Sequence, residues 1–320
     1  MKAIVQKEDT LVWSETDAPS LGAGEVRLKV KATAVNRADL VQRSGNYPPP
    51  PGASEILGLE CSGWVLEAAD DVSWPRVGDE VCALLAGGGY AEEVVVPAGQ
   101  VLPVPDGISL REAAALPEVY TTAWLNLRVE GELIDGERVL VHAGASGVGT
   151  AAIQLCAAWG NPVVVTVGSD EKCRYVEGLG AELAVNRKDG PWGPKVKVNG
   201  KFDVILDPVG GSYLESNIWS LNPKGRLVNI GLMGGQEGTL PLAPLLTKRL
   251  KLKGSVLRSR SIEEKAEILI GLRTEVWPLF ESKAVRAVIH TVAPIEEVEE
   301  AHRLVQSNQT VGKVILEISK

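Results

Sequence analysis

No run of about 18 uninterrupted apolar residues occurs in this 320-residue chain, so nothing in it has the length of a membrane span. No basic run occurs either, and the formal net charge of −8 gives nucleic acid no electrostatic footing. Cysteine is scarce. Cys61, Cys82, Cys156 and Cys173 are scattered with no CxxC pair, which excludes a disulfide framework and points to reduced thiols in a cytoplasmic protein. The N-terminal MKAIVQKEDTLVW holds a short apolar strand but neither a signal-peptide core nor a cleavage site. Repeats and low-complexity tracts are missing too; YPPPPG at 47–52 is too short for a linker and reads as a rigid loop. What remains is the balance of a soluble globular protein, 45% hydrophobic and 23% charged. At this length two domains are expected.

The first hundred residues are strand-rich and punctuated by Gly and Pro. KAIVQ, EVRLKVKATAV, SGWVLEAA, DEVCALL and YAEEVVVP alternate or run apolar between turn residues, as a compact β domain would. Helical spacing takes over at 109–130, with Ser109 as an N-cap and Pro117 as a break or kink. From Glu137 short apolar strands alternate with helices: ERVLVHA, PVVVTV, AELAV, FDVILD, GRLVNIG and RLKLKGSVL. That alternation means α/β, a doubly wound parallel sheet with helices on both faces. The tail from Ser261 loses this periodicity and is expected to fold back on the first domain.

The stretch GERVLVHAGASGVG at 136–149 carries the most chemistry. An apolar run leads into a glycine-rich loop and then into AAIQLCAAWG, in the order strand, turn, helix. Gly144, Gly147 and Gly149 let the backbone approach a pyrophosphate, and the following helix N-terminus aims amides at it. Ser146 stands where the middle glycine of a plain GxGxxG would be, with Gly147 and Val148 after it. An ordinary turn between strand and helix is the alternative. An Asp or Glu about 20 residues past such a loop binds the ribose 2′-hydroxyl of NAD. Counting from Gly149 puts Gly168 and Ser169 there instead. Lys172 and Arg187 can then complete a 2′-phosphate pocket, which favours NADPH; the alternative makes both of them solvated surface charges. Asp170 and Glu171 lie close enough that a small shift of the strand end would put an acid in place.

GERVLVHAGASGVGTAAIQLCAAWG, with Gln154 five residues after Gly149, resembles the signature of the quinone oxidoreductase (zeta-crystallin-type) branch of the medium-chain dehydrogenases. AVNRADLVQRSGNYPPPPGASEILGLECSG, GLMGG at 231–235, LRSR at 257–260 and GKVILEI at 312–318 look like further family segments, so the resemblance spans almost the whole chain. YPPPPGAS and LRSR are most similar to NADPH-dependent quinone reductases. The resemblance implies a GroES-like β domain (1–118 and 259–320) and a Rossmann NADPH-binding domain (119–258). It places Gly231, Leu232, Met233 and Leu257 at the cofactor and Thr122 near the nicotinamide, where helix packing is the rival role. It also implies a homodimer through sheet edges, with RLKLKGSVL at 249–257 as the edge, unless its lysines protect that edge in a monomer.

Zinc-containing relatives carry a Cys ligand where Asn36 stands and a His ligand where Leu59 stands. Leucine ligates nothing, His142, His290 and His302 are scattered, and the closely spaced cysteines of a structural zinc lobe are missing. A chain without zinc has no Lewis acid to polarise an unactivated carbonyl, so its acceptor must be electron-poor already. Quinones fit, and so do α,β-unsaturated carbonyls. Asn36 and Tyr47 are the candidates to orient the acceptor, by resemblance; the alternatives are a backbone turn satisfied by Asn36 and a Tyr47 ring packed on Pro48–Pro51. The expected activity is an NADPH-dependent quinone reductase, with an enone reductase or a non-catalytic NADPH-binding protein as alternatives.

Overall fold

The computed structural model describes residues 1–318. It divides into two compact units, 1–121 with 257–318 and 122–256.

The first unit is built on the long strand Glu25–Val35. Val26, Leu28 and Val30 recur every second residue and are all buried, so one face of the pleat is core. This strand pairs antiparallel with Glu60–Ala68, Glu93–Pro97 and Lys313–Glu317, within a seven-stranded sheet. The pairing of Lys313–Glu317 brings the tail back to the first unit, as its lost periodicity predicts. The terminal helices Ile262–Glu281 and Val298–Gln306 belong to the same unit. Pro117 marks a break: the helix Leu110–Ala113 ends before it. It opens the helix Pro117–Trp124, where a missing N–H costs nothing, and the chain continues as a wide π-turn over Leu125–Glu130.

The second unit is a parallel sheet of six strands. In chain order they are Val139–Val141, Val163–Val167, Leu183–Asn186, Phe202–Asp207, Leu221–Asn229 and Lys251–Gly254, and in space they run 3-2-1-4-5-6. All five residues of Val163–Val167 are buried, as a strand covered on both faces requires. The order reverses between the first and fourth strands, and a crevice there is where such sheets take ligands. The glycine-rich loop leaves the first strand at that point.

Candidate active site

In the second unit the chain leaves Val139–Val141 through a left-handed Ala143, φ +53°, and enters the helix Gly147–Ala158. Ser146 is the N-cap, its Oγ accepting from the Gly149 amide at 3.0 Å. That explains a serine among the glycines: it satisfies one orphan donor of the helix. The amides of Gly147 and Val148 make no hydrogen bond among the described residues and stay open to an anion. Gly144 and Gly149 are required by close packing. A Cβ on Gly144 would lie 2.7 Å from the Val165 side chain, and one on Gly149 would lie 2.5 Å from the Ala143 carbonyl oxygen.

The second strand ends at Val167, so Gly168 and Ser169 occupy the position that reads the ribose. Asp170 already opens the helix Asp170–Glu177, and its carboxylate accepts from Asn186 Nδ2 at 2.9 Å. The nearest acid is therefore turned to another task. Ser169 caps that helix by accepting from the Lys172 amide at 3.3 Å, which leaves its O–H free to donate. A Cβ on Gly168 would come within 3.9 Å of an Arg187 guanidinium nitrogen. Burial pushes the half-buried Lys172 ammonium down, and Lys188 and Arg187 add to that. Three cations thus crowd one place and repel one another, an arrangement a 2′-phosphate would relieve. Lys188 is an addition to the residues named from sequence; its adjacency to Arg187 was the available signal. The residues present fit NADPH.

Gly231, Leu232 and Met233 follow the fifth strand, and the last two are exposed. Thr122 is half-buried, its carbonyl accepting from Asn126 Nδ2 at 2.8 Å. Leu257 counts with the first unit and is buried. His142 is buried between Thr166 Oγ1 (2.9 Å) and Asn217 Oδ1 (2.7 Å), and burial lowers its pKa: a structural, neutral imidazole.

The first unit holds a buried charged network around Asn36. Asn36 caps the helix Arg37–Arg43, its amide N–H donating to Asp39 Oδ2 at 2.7 Å. Its side chain donates to Glu60 Oε1 (3.0 Å) and to the Ala34 carbonyl (3.2 Å), and its Oδ1 accepts from Lys313 Nζ at 2.6 Å. Asn36 is therefore committed within the protein. It braces Glu60 and Lys313 and leaves little capacity for a substrate. Glu60 is fully buried; Lys313 Nζ lies 2.8 Å from its Oε1, and the Glu118 amide donates to its Oε2 at 2.9 Å. Burial, and then the neighbouring Glu60 charge, push the Glu118 carboxyl up to about 8. Asp39 is also fully buried and is raised to about 6, chiefly by burial; Tyr90 links it to His302 through bonds of 3.2 Å.

Tyr47 is half-buried on its proline loop, and its ring packs against Arg258 with the guanidinium carbon 5.1 Å from the centroid. Arg258 donates to the Tyr47 carbonyl (3.3 Å), the Ala86 carbonyl (2.8 Å) and Gln42 Oε1 (2.7 Å), so it fixes that loop. The Tyr47 hydroxyl has no hydrogen-bond partner among the described residues and is free to donate. Burial and the Glu118 charge raise its pKa, while Arg258 opposes them. Sequence reasoning missed Glu118, Lys313 and Arg258, because no spacing in the chain joins positions 60, 118, 258 and 313.

Two family descriptions match: "Alcohol dehydrogenase GroES-like domain" over residues 22–106 and "Zinc-binding dehydrogenase" over 147–271. The donors present do not fit zinc. Leu59 is buried and apolar, Asn36 is spent on Glu60 and Lys313, and burial raises the Cys61 thiol well above its usual range. No group of three or more His, Cys, Asp or Glu side chains able to hold a metal occurs among the described residues. The chain is similar to the Bos taurus Quinone oxidoreductase-like protein 2, 31% identical over 96% of this chain and 89% of that one. It is 31% identical to the Danio rerio Synaptic vesicle membrane protein VAT-1 homolog over 93% of this chain, but spans only 65% of that protein's length. Among solved structures, it is similar to the Thermus thermophilus Quinone Oxidoreductase, whose structures include a complex with NADPH: TM-score 0.83, 31% identity, 99% of this chain and 100% of that one. The CurK enoyl reductase gives TM-score 0.86, 27% identity and 99% of each chain. Both units, the glycine-rich loop and these relatives agree: the chain belongs to the medium-chain dehydrogenase/reductase family of oxidoreductases, with quinone oxidoreductase-like proteins among its homologues.

Proposed function

We propose that this protein is an NADPH-dependent quinone oxidoreductase that works without zinc. The observation that carries the reading is the Lys313–Glu60 pair, 2.8 Å apart and buried, with Asn36 bonded to both. Asn36 and Leu59 leave the positions of two zinc ligands without metal-binding capacity, so the acceptor must be electrophilic on its own. When bound, NADPH supplies the hydride. The Gly147 and Val148 amides would receive its pyrophosphate, and Ser169, Lys172, Arg187 and Lys188 its 2′-phosphate. Tyr47, whose hydroxyl is free, orients the acceptor by hydrogen-bonding the oxygen that gains charge. Asn36 acts one step back, by holding Glu60 and Lys313.

Reduction of an enone double bond is the second reading, favoured by the likeness to an enoyl reductase. Steady-state turnover with NADPH across a panel of quinones and enones separates them. The expected result is rapid NADPH oxidation with quinones. Rapid enone reduction with no quinone turnover replaces this reading with the second; tight NADPH binding with no turnover of any acceptor would mark a binding protein.

A further inference from the structure

Glu118 stands out because its carboxyl makes no hydrogen bond among the described residues, although its main-chain amide sits on the buried Glu60. Glu60 has both oxygens occupied, Oε1 by Lys313 and Asn36 and Oε2 by the Glu118 main-chain amide. Lys313 has placed all three protons, on Glu60, on Asn36 Oδ1 and on the Val35 carbonyl at 2.9 Å. Lys313 is thus saturated, and Glu60 is fixed. The Glu118 side chain itself accepts no hydrogen bond and joins no ion pair among the described residues, yet it stays partly exposed on the first turn of Pro117–Trp124. A half-buried carboxyl beside a fixed carboxylate, with no donor of its own, is held neutral. The charged groups facing it are Glu60, Lys313, Asp39 and Arg258, and its own charge is felt at Tyr47 and Lys265. Burial and Glu60 dominate, which puts its titration at about pH 8.

We propose that Glu118 is the acid of this site, the group that gives the reduced acceptor its proton. The inference rests on the reductase reading above. Two-electron reduction as hydride leaves one negative charge on an acceptor oxygen. The O–H bond of Glu118 breaks, a new O–H bond forms on that oxygen, and the resulting carboxylate takes a proton back from water. Tyr47 binds the same oxygen and orients it, while Glu118, neutral near pH 7, is the better matched proton source.

Infrared titration of the full chain without cofactor tests this directly. A protonated-carboxyl band should disappear with a midpoint near pH 8 and be missing in Glu118→Gln, while an Asp39 component near pH 6 persists in both. In turnover, kcat/KM for a quinone should fall as pH rises through about 8, because ionised Glu118 has no proton to give. Glu118→Gln should lose at least ~100-fold at pH 7 and lose that inflection, with NADPH affinity unchanged. No band near pH 8, or a Glu118→Gln variant with wild-type rate and pH profile, overturns the proposal. Should no acceptor turn over, the functional reading fails separately, and the infrared band alone decides whether Glu118 holds a proton.

Discussion

Lys313 and Glu60 show how much one residue can hold. Each ammonium proton of Lys313 meets an acceptor, and Glu60 has no solvent to replace it. Removing one side of a buried pair strands the other charge, which costs about 3–5 kcal/mol. Lys313→Met should lower the denaturant unfolding free energy by that much, whereas Glu60→Gln combined with Lys313→Met should cost less than the sum of the single changes. A loss under about 1 kcal/mol for Lys313→Met would contradict a tightly satisfied network. The sequence shows Asn36 and Tyr47 as polar residues near a proline loop, but not what they touch. Asn36 is a candidate substrate contact by resemblance, with a satisfied backbone turn as the alternative; its bonds to Glu60 and Lys313, 24 and 277 positions away, are visible only in the structure. The caps at Ser146 and Ser169 are local features, each serine accepting from an amide three residues on. The sequence draws attention to these positions only through the glycine-rich loop and the count to the second strand's end.

At the scale of elements, the strongly patterned segments were readable. The six runs after Glu137 became the six parallel strands; inner ones such as Val163–Val167 are apolar throughout because both faces are buried, while the edge strand Lys251–Gly254 alternates lysine with an exposed leucine. Short pieces were not. The strand Thr10–Glu15 pairs with Lys2–Lys7, and the helices Arg37–Arg43, Trp192–Val196 and Leu242–Lys248 span two turns or fewer, too little for a period to declare itself. The edge strand Lys251–Gly254 makes its own prediction. Lys251 and Lys253 do not project as free charges; they bond Glu132 at 2.7 and 3.1 Å. Leu252 and Val256 remain exposed beside a backbone edge with no strand beyond it among the described residues. An edge left open in this way is suited to pairing with a second copy. Sedimentation velocity should show a dimer, and Leu252→Lys should shift it toward monomer; a wild-type monomer at every concentration would contradict this.

Over the whole molecule, the two units carry different halves of the proposed chemistry. The second has open amides and three clustered cations; the first has a carboxyl raised to about 8, a phenol with no hydrogen-bond partner among the described residues, and a buried ion pair. No helix among the described residues is long and apolar enough to cross a membrane. The half legible in sequence is the one whose residues are neighbours in the chain, and the half that was not is assembled from four distant segments. NADPH-driven quinone reduction is tested most directly by paired kcat/KM values for NADPH and NADH with one quinone as acceptor, measured for the wild type and for Lys172→Ala with Arg187→Ala. Each lost charge-assisted bond is worth about 1.5–3 kcal/mol, or roughly 10- to 150-fold. The expected result is turnover that favours NADPH in the wild type, with the preference collapsing in the double variant while NADH turnover holds. Equal use of both cofactors by the wild type, or no consumption of NADPH with the quinone, would contradict it.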